Sequence, residues 1–405
     1  MEQNEKMKII MLLISLPDVS VNSGLYLDLL AELKKQGHDV NVVAPALLDE
    51  KTKISIEKGI TILRVKTLPL FSKSLIIKGI ANLLIPFQYK KAIKKFYKNS
   101  NYDLVLMPTP PVMLVTVASW IKRHYKSKFY LMLKDIFPQN AVDLGMIKKG
   151  SLLYRYFRNK EIYIYREADL IGCMSPGNKR YILKHNTYID EKKVHILRNS
   201  EKSIKNLNPD SLLQSEYGLN NKFTLVFGGN MSAPQQMENI IYFAKECQNR
   251  YNDVQFLLIG KGTQIENIKK KIIENKINNI ILKNYVPSHQ YLKLVSQCQV
   301  GLISLHKDFT IPNIPSKVMS YLNCSLPVLA SIDKNTDFGD ILEKNNFGFV
   351  SIAGDINKLL NNFDKLYKSA ELRKTMGFNG KKYLEEYLSP EIAVNTIISH
   401  VKKLF

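Results

Sequence analysis

One recurring unit constrains this chain more than any other feature. A short, nearly uninterrupted apolar run is followed by a turn of glycine or small polar residues and then by an amphipathic stretch. Residues 8–16 open the series with a run too apolar to leave one face in water, as a strand buried on both faces of a parallel sheet requires. Residues 25–36 follow, with Leu25, Leu29 and Leu33 at helical spacing and Gly37 as the stop. Further strands are predicted at 39–44, 59–65, 103–107, 128–133 and 168–174, with helices between them. Beyond residue 200 the pattern restarts. Strands are predicted at 224–227, 254–259, 280–282, 300–305 and 327–331, and helices at 234–249, from after Gly262 to about 276, near 288–297 and near 315–324. This alternation predicts an α/β fold of two Rossmann-like, doubly wound domains. The polar stretch 201–215 divides them, so the expected domains are 1–200 and 201–385, with 386–405 as a terminal helix packing back toward the first. Ligands of such sheets bind at the carboxyl ends of the strands, and two facing domains are expected to share one central cleft.

Composition narrows the classes. A hydrophobic fraction of 45% and a charged fraction of 23% exclude a disordered, fibrous or disulfide-stapled chain. The four cysteines (Cys173, Cys247, Cys298, Cys324) are too scattered for a zinc site or a disulfide framework, as in a reducing cytoplasm. The net charge of +22 points to a polyanionic partner, and it leans to the N-terminal side: +14 over residues 1–180 against +8 over 181–405. No run reaches the ~18 apolar residues of a membrane span. The acidic start and the absence of a signal-like segment give a soluble or peripheral protein as the expectation.

The sharpest local motif is FTLVFGGNMSAP at 223–234. Two glycines, Gly228 and Gly229, end a buried strand and precede Asn230. A helix is expected soon after, with Ser232 as cap and Pro234 in its first turn. Backbone approach at the glycines, plus the positive end of a helix, suits a diphosphate. A second motif, IPSKVMSY at 314–321, places Lys317 near a helix start, where the dipole disfavours a cation unless it shares a bound anion. Neither half carries G-x-G-x-x-G after its first strand or a G-x-x-x-x-G-K-[ST] loop, which argues against nicotinamide, flavin and P-loop chemistry.

These motifs, together with GKG at 260–262, YVP at 285–287 and LPVLA at 326–330, resemble glycosyltransferase family 4. The N-terminal half agrees, with Ser23-Gly24, LKKQGHDV at 33–40, PTPP at 108–111, KDIFPQNAVDLG at 134–145, ADLIGCMS at 168–175 and ILRN at 196–199. The segments at 134–145 and 314–321 are similar to a subgroup from bacterial O-antigen and capsule clusters described as N-acetyl-fucosamine transferases. The resemblance implies a GT-B fold, retention of anomeric configuration, and no cofactor or metal. It implies donor contacts from Gly228, Gly229, Asn230, Lys261, Tyr285, Val286, Pro315, Ser316, Lys317 and Ser320, with Gly24 closing over the sugar phosphate. Asp135, at the carboxyl end of a strand, is the candidate catalytic carboxylate, with Lys317 stabilising the leaving diphosphate; a helix-capping role for Asp135 stands beside that reading. The chain departs from the family pattern at Pro312 and Ser320, where many members carry a glutamate pair. Lys134 stands where a histidine is common, and Gln235-Gln236 where a basic pair is common. His38, in a turn before a strand, reads as structural.

Residues 73–99 bear on the partner. Lys90, Lys94 and Lys98 share a helical stripe flanked by Lys91 and Lys95, downstream of the apolar stretch 75–87. A basic amphipathic segment beside an apolar one suits an anionic membrane surface, here the inner face of the cytoplasmic membrane. The expected function is therefore transfer of a sugar, such as an N-acetylated deoxyhexosamine, from a UDP-sugar to a polyprenyl-diphosphate-linked saccharide. The alternatives are a non-hydrolysing UDP-sugar 2-epimerase and a basic nucleic-acid-binding protein; no nucleic-acid-binding module is recognisable.

Overall fold

The structure, a computed structural model, describes residues 6–19, 24–47, 50–72, 74–205, 207, 210–284, 286 and 288–405. The chain divides into two compact units. Met1–Ser200 and Pro390–Phe405 form the first, and Glu201–Ser389 the second.

The first unit is built on eight strands: β1 (Lys8–Leu12), β2 (Asp39–Pro45), β3 (Lys53–Glu57), β4 (Ile60–Val65), β5 (Leu104–Pro108), β6 (Lys128–Leu133), β7 (Leu170–Cys173) and β8 (Val194–Ile196). Their order is β3-β4-β2-β1-β5-β6-β7-β8, parallel except for β3, which pairs antiparallel with β4. The apolar run at 8–16 becomes a shorter strand because the chain turns away after Leu12 into a loop whose apolar side chains Leu13 and Leu16 stay buried. Strand order reverses between β1 and β5, so the topological switch point, where such sheets bind ligands, lies at their carboxyl ends.

The helix Pro390–Lys402 belongs to this first unit. Ala393, Val394, Ile397, Ile398 and Val401 join the same buried cluster as Leu29, Leu30 and Leu33 of the helix Leu25–Lys35. Burial of each of the larger side chains contributes about 1.5–3 kcal/mol before entropy is counted. The helix starts at Pro390 rather than 386 because the preceding helix, Ala370–Tyr387, runs past residue 385 before the Ser389-Pro390 break.

The second unit has six parallel strands: β9 (Phe223–Gly228), β10 (Val254–Ile259), β11 (Ile280–Lys283), β12 (Val300–Ser304), β13 (Val328–Ile332) and β14 (Gly348–Ile352). They are ordered β11-β10-β9-β12-β13-β14, with the switch point between β9 and β12. Every residue of β9, β10, β12 and β13 is buried, as continuous apolar runs demand.

The stretches 75–87 and 87–98 prove to be one helix, Leu75–Phe96, with Pro86 inside it. Proline removes one helical N–H. The helix persists because Ala81, Ile85, Tyr89 and Ile93, each four residues apart, are all fully buried on one side. No helix among the described residues is long and apolar enough to cross a membrane.

Candidate functional site

The two glycine turns of the second unit meet backbone to backbone. Gly229 has φ +124°, and a Cβ on Gly260, at φ +153°, would lie 1.8 Å from the Gly229 carbonyl oxygen. A Cβ on Gly262 would lie 2.1 Å from the Met231 carbonyl oxygen. Only glycine admits that approach without displacing the turn. The Gly229 N–H donates to Ile259 O at 2.8 Å, and the Met231 N–H donates to Lys261 O at 2.8 Å. Gly228 serves a third contact: its Cβ would lie 1.8 Å from the Tyr291 hydroxyl, while its N–H donates to Tyr321 Oη at 3.2 Å. Tyr321 in turn donates to Leu302 O at 3.0 Å, tying β9 to β12 at the switch point.

Several amides expected to cradle an anion are thus already engaged. The helix expected at 234 also begins later. Ser232 precedes a short 3-10 turn, Ala233–Gln235, without capping it; its hydroxyl bonds to Asn230 Oδ1 at 2.7 Å, and the α-helix starts at Glu238. Gln236, in left-handed conformation at φ 39°, separates the two because its side chain accepts from the Lys307 N–H at 2.8 Å.

Besides Lys261, which lies within the second glycine turn, Lys317 brings positive charge to this place. It occupies the N-cap position of the helix Val318–Asn323, in the segment following β12. Its Nζ lies 4.1 Å from the centre of the Phe227 ring and hydrogen-bonds Gln235 Oε1, and its Cε would be 3.6 Å from a Cβ on Gly229. Among the described residues no carboxylate lies within 4.0 Å of Nζ. Burial lowers its pKa to about 7. A half-buried lysine amine without a carboxylate partner among the described residues thus stands at the carboxyl end of a switch-point strand. Gln235, one of the two glutamines replacing the usual basic pair, is what holds it; no sequence signal marked that contact across 82 residues.

Pro315 is buried, Ser316 exposed and Ser320 half-buried, the last two within one turn on either side of Lys317. Lys261 is exposed, and Asn230 is exposed with its side chain turned to Ser232. Val286 is buried, while Tyr285, like Ser23 and Pro287, lies outside the described residues.

In the first unit, Asp135 follows β6. Its Oδ1 accepts from Asn140 Nδ2 at 2.9 Å. Burial raises the carboxyl to about 6, against the opposing hydrogen bonds from Asn140 and the Ile136 amide. The next helix, Gln139–Asp143, is preceded by Pro138, so Asp135 does not cap it. Lys134 beside it is lowered to about 7 by burial, which outweighs the Cys173 thiol, and its Nζ lies 3.5 Å from Arg198 O. Two adjacent side chains thus sit closer to neutrality than their ordinary values. Thr109, from the PTPP segment, orients both: its Oγ1 donates to Asp135 O at 3.1 Å and accepts from the Lys134 amide at 3.0 Å and the Asp135 amide at 3.2 Å. Gly24, at φ +157°, precedes the helix Leu25–Lys35 and has open space where a Cβ would stand. His38 Nδ1 accepts the Met7 amide at 3.2 Å in the buried turn, a structural contact.

On the helix Leu75–Phe96, Lys90 and Lys94 lie 5.3 and 5.8 Å from the Trp120 ring and Lys95 lies 5.3 Å from the Phe96 ring, while Lys91, and Lys98 just beyond the helix, are exposed. All four cysteines are free thiols, three of them buried.

Residues 176–383, just over half the chain, match the family described as glycosyl transferases group 1, and residues 25–200 match glycosyltransferase family 4. The chain is 24% identical over 278 residues to the probable glycosyltransferase WbjE of Pseudomonas aeruginosa, covering 68% of each protein. Among solved structures it is similar to sucrose-phosphate synthase of Thermosynechococcus elongatus, with a TM-score of 0.76 and 15% identity over 98% of this chain and 99% of that one. It is likewise similar to HepE of Anabaena in complex with UDP and glucose, with a TM-score of 0.71 and 16% identity over 98% and 100%. Neither the epimerase nor the nucleic-acid alternative gains support from these likenesses. With two parallel-sheet α/β units matched along almost their whole length, the chain belongs to the group 1 and family 4 glycosyltransferases and has the GT-B fold.

Proposed function

We propose that this glycosyltransferase takes a UDP-sugar as donor, retains the anomeric configuration without a metal, and acts on a polyprenyl-diphosphate-linked saccharide during bacterial capsule or O-antigen synthesis. The donor sugar in this reading is an N-acetylated deoxyhexosamine such as N-acetylfucosamine. The observation that carries the donor half is Lys317, a cation without a counterion beside the glycine turns after β9 and β10. UDP bound to the similar HepE supports the choice of nucleotide.

The chemistry follows from charge. As the bond from the anomeric carbon to the β-phosphate oxygen breaks, negative charge grows on the diphosphate, and an ammonium already in place stabilises it without reorganisation. The acceptor oxygen bonds to the anomeric carbon on the same face, and its proton passes to the departing phosphate oxygen. The sugar is oxocarbenium-like at that moment, so a carboxylate lowers its energy. Asp135 is the group we assign to that role.

The acceptor half rests on the helix Leu75–Phe96. Ile76, Ile80, Leu83 and Phe87 form an exposed apolar stripe, with Ile76 75% and Phe87 72% accessible, and Lys91, Lys94 and Lys98 extend the same face. Apolar side chains followed by cations match an anionic bilayer surface on the cytoplasmic side, where a lipid-linked acceptor is anchored.

A thermal-shift screen against UDP, GDP, ADP and CMP with EDTA present tests the donor assignment. A nucleotide at a hundred times its Kd raises stability by about 2.7 kcal/mol. A response to UDP alone, reduced in Lys317→Ala, is the expected result; no response to any of the four refutes the donor site.

A further inference from the structure

Strand β3 is an outer strand of the first sheet: it pairs with β4, and among the described residues no strand pairs with its other side. The hairpin joining the two fixes which backbone groups face outward. Lys58 and Gly59, at φ 47° and 74°, form a two-residue turn, so Glu57 and Ile60 are the hydrogen-bonded pair beside it. Counting back in twos, Glu57, Ser55 and Lys53 turn their N–H and C=O groups toward β4, and Ile54 and Ile56 turn theirs to the open edge. Those donors and acceptors stand in line for another strand.

The side chains alternate between the two faces of the sheet. Ser55 and Glu57 share a face with Ile60 and Ile62, which join the buried cluster of the helices Leu25–Lys35 and Pro390–Lys402. Ile54 and Ile56 stand on the opposite face, 41% and 75% accessible. The helix Leu75–Phe96 lies on that face too, because the right-handed crossovers from β1 to β2 and from β4 to β5 run in opposite directions along the sheet. Natural edges are commonly blunted by a proline, a bulge or a charge. On this face β3 has none of these: its register is uninterrupted, it lacks proline, and its outward side chains are two isoleucines.

Read antiparallel to itself, the strand KISIE is self-complementary. Centring the pairing on Ser55 sets Ile54 opposite Ile56 of the second copy, Ser55 opposite Ser55, and Lys53 opposite Glu57. Both isoleucine pairs then exchange N–H···O=C bonds, because those are the residues whose backbone groups face the edge. Each lysine faces the Glu57–Arg64 ion pair, so no like charges meet within the strands. Slipping by two residues leaves one isoleucine pair instead of both. We infer that the partner of this edge is a second copy of this chain, joined β3 to β3 about a two-fold axis perpendicular to the sheet. The interface is small, so the dimer forms reversibly with concentration. The axis keeps every side chain on its own face, and both copies of the helix Leu75–Phe96 come to lie on one side of the joined sheet. Two apolar and basic stripes then meet one bilayer, a gain in avidity that rests on the membrane reading above.

Sedimentation velocity of the full chain from about 2 to about 200 μM tests the association, and the unmodified chain is expected to shift from monomer toward dimer over that range. Ile56→Lys should weaken association about tenfold, since the two-fold removes both isoleucine pairs together. Its melting temperature should not change, because Ile56 is exposed. Cysteine substitution under oxidised glutathione reads the register. Ser55→Cys sets two thiols opposite one another at a non-hydrogen-bonded position, where a Cα separation of about 4.5 Å admits a disulfide. Lys53→Cys sets them about 13 Å apart along the strands, beyond reach. A covalent dimer from Ser55→Cys, and none from Lys53→Cys or the unmodified chain, is expected. A chain still monomeric at about 200 μM, association unchanged in Ile56→Lys, or equal crosslinking of the two cysteine variants overturns the inference. Crosslinked Ser55→Cys that binds phosphatidylglycerol vesicles no more tightly than its reduced form would strike the membrane reading and leave the dimer standing.

Discussion

Replacing Lys317 by arginine separates charge from titration at the glycine turn. Burial lowers the lysine from 10.5 to about 7, so the ligand-free site loses its proton near neutrality. At pH 6 about 90% of the chains carry the ammonium, and at pH 8 about 10%. If the diphosphate binds only the protonated form, affinity falls about tenfold between those values, or about 1.4 kcal/mol. UDP-glucose is the suitable probe, because its diphosphate diester does not titrate in that range. In Lys317→Arg the charge persists at both pH values, and affinity should stay flat. In Lys317→Ala a charge-assisted hydrogen bond worth about 1.5–3 kcal/mol is missing, so affinity at pH 6 should drop roughly 10- to 150-fold. Stability of the ligand-free protein carries the opposite sign: the unfolded chain binds a proton that the folded site has released, so stability rises with pH from about 7 toward 10.5. Isothermal titration at pH 6, 7 and 8 measures the first effect and calorimetric unfolding the second. A wild-type affinity independent of pH, or an arginine variant falling equally, refutes the account.

Asp135→Asn should lower the transfer rate about 100-fold while raising the melting temperature above pH 6, where the raised carboxyl pays for ionising in a buried setting; turnover and calorimetry on the same preparation decide it, and unchanged turnover removes Asp135 from the mechanism. Gly260→Ala drives a Cβ to 1.8 Å from Gly229 O, and a cost of about 1–3 kcal/mol together with loss of the UDP response is expected. The triple change Lys91→Glu, Lys94→Glu, Lys98→Glu reverses three exposed charges on the stripe; at about 1 kcal/mol per lysine, cosedimentation with phosphatidylglycerol vesicles should weaken at least 100-fold, and unaltered binding excludes that face. Arg64→Met removes the fully buried partner of the half-buried Glu57, which keeps the Val19 amide and the Ser55 hydroxyl, and should cost about 3 kcal/mol, the low end for a buried pair, read as a fall in melting temperature.

The strands foreseen from the sequence were those buried on both faces, such as β9, β10 and β12, where composition alone carries the signal. Three were not anticipated. In β3, Ile54 and Ile56 face outward at a sheet edge and the run reads KISIE; β8 has three residues; β14, a five-residue GFVSI opening on glycine, is only partly buried at the edge of its sheet. Edge strands bury one face at most, so their runs are neither long nor apolar enough to stand out. The proline at 86 obscured the continuity of the helix Leu75–Phe96, because propensity disfavours proline there and only packing of Ile85, Tyr89 and Ile93 overrides it.

Local chemistry therefore determined the α/β class, the restart near residue 200 and the glycine turns, since burial, backbone conformation and turn geometry act over a few neighbouring residues. Contacts between distant segments were decided only by tertiary structure: Gln235 on Lys317, Thr109 on Lys134 and Asp135, Arg64 on the loop after β1, and the terminal helix on the first unit. Each depends on which strand lies beside which, and a hydrogen bond of about 1 kcal/mol or a shifted pKa exists only once that order brings the partners within about 3 Å and excludes water.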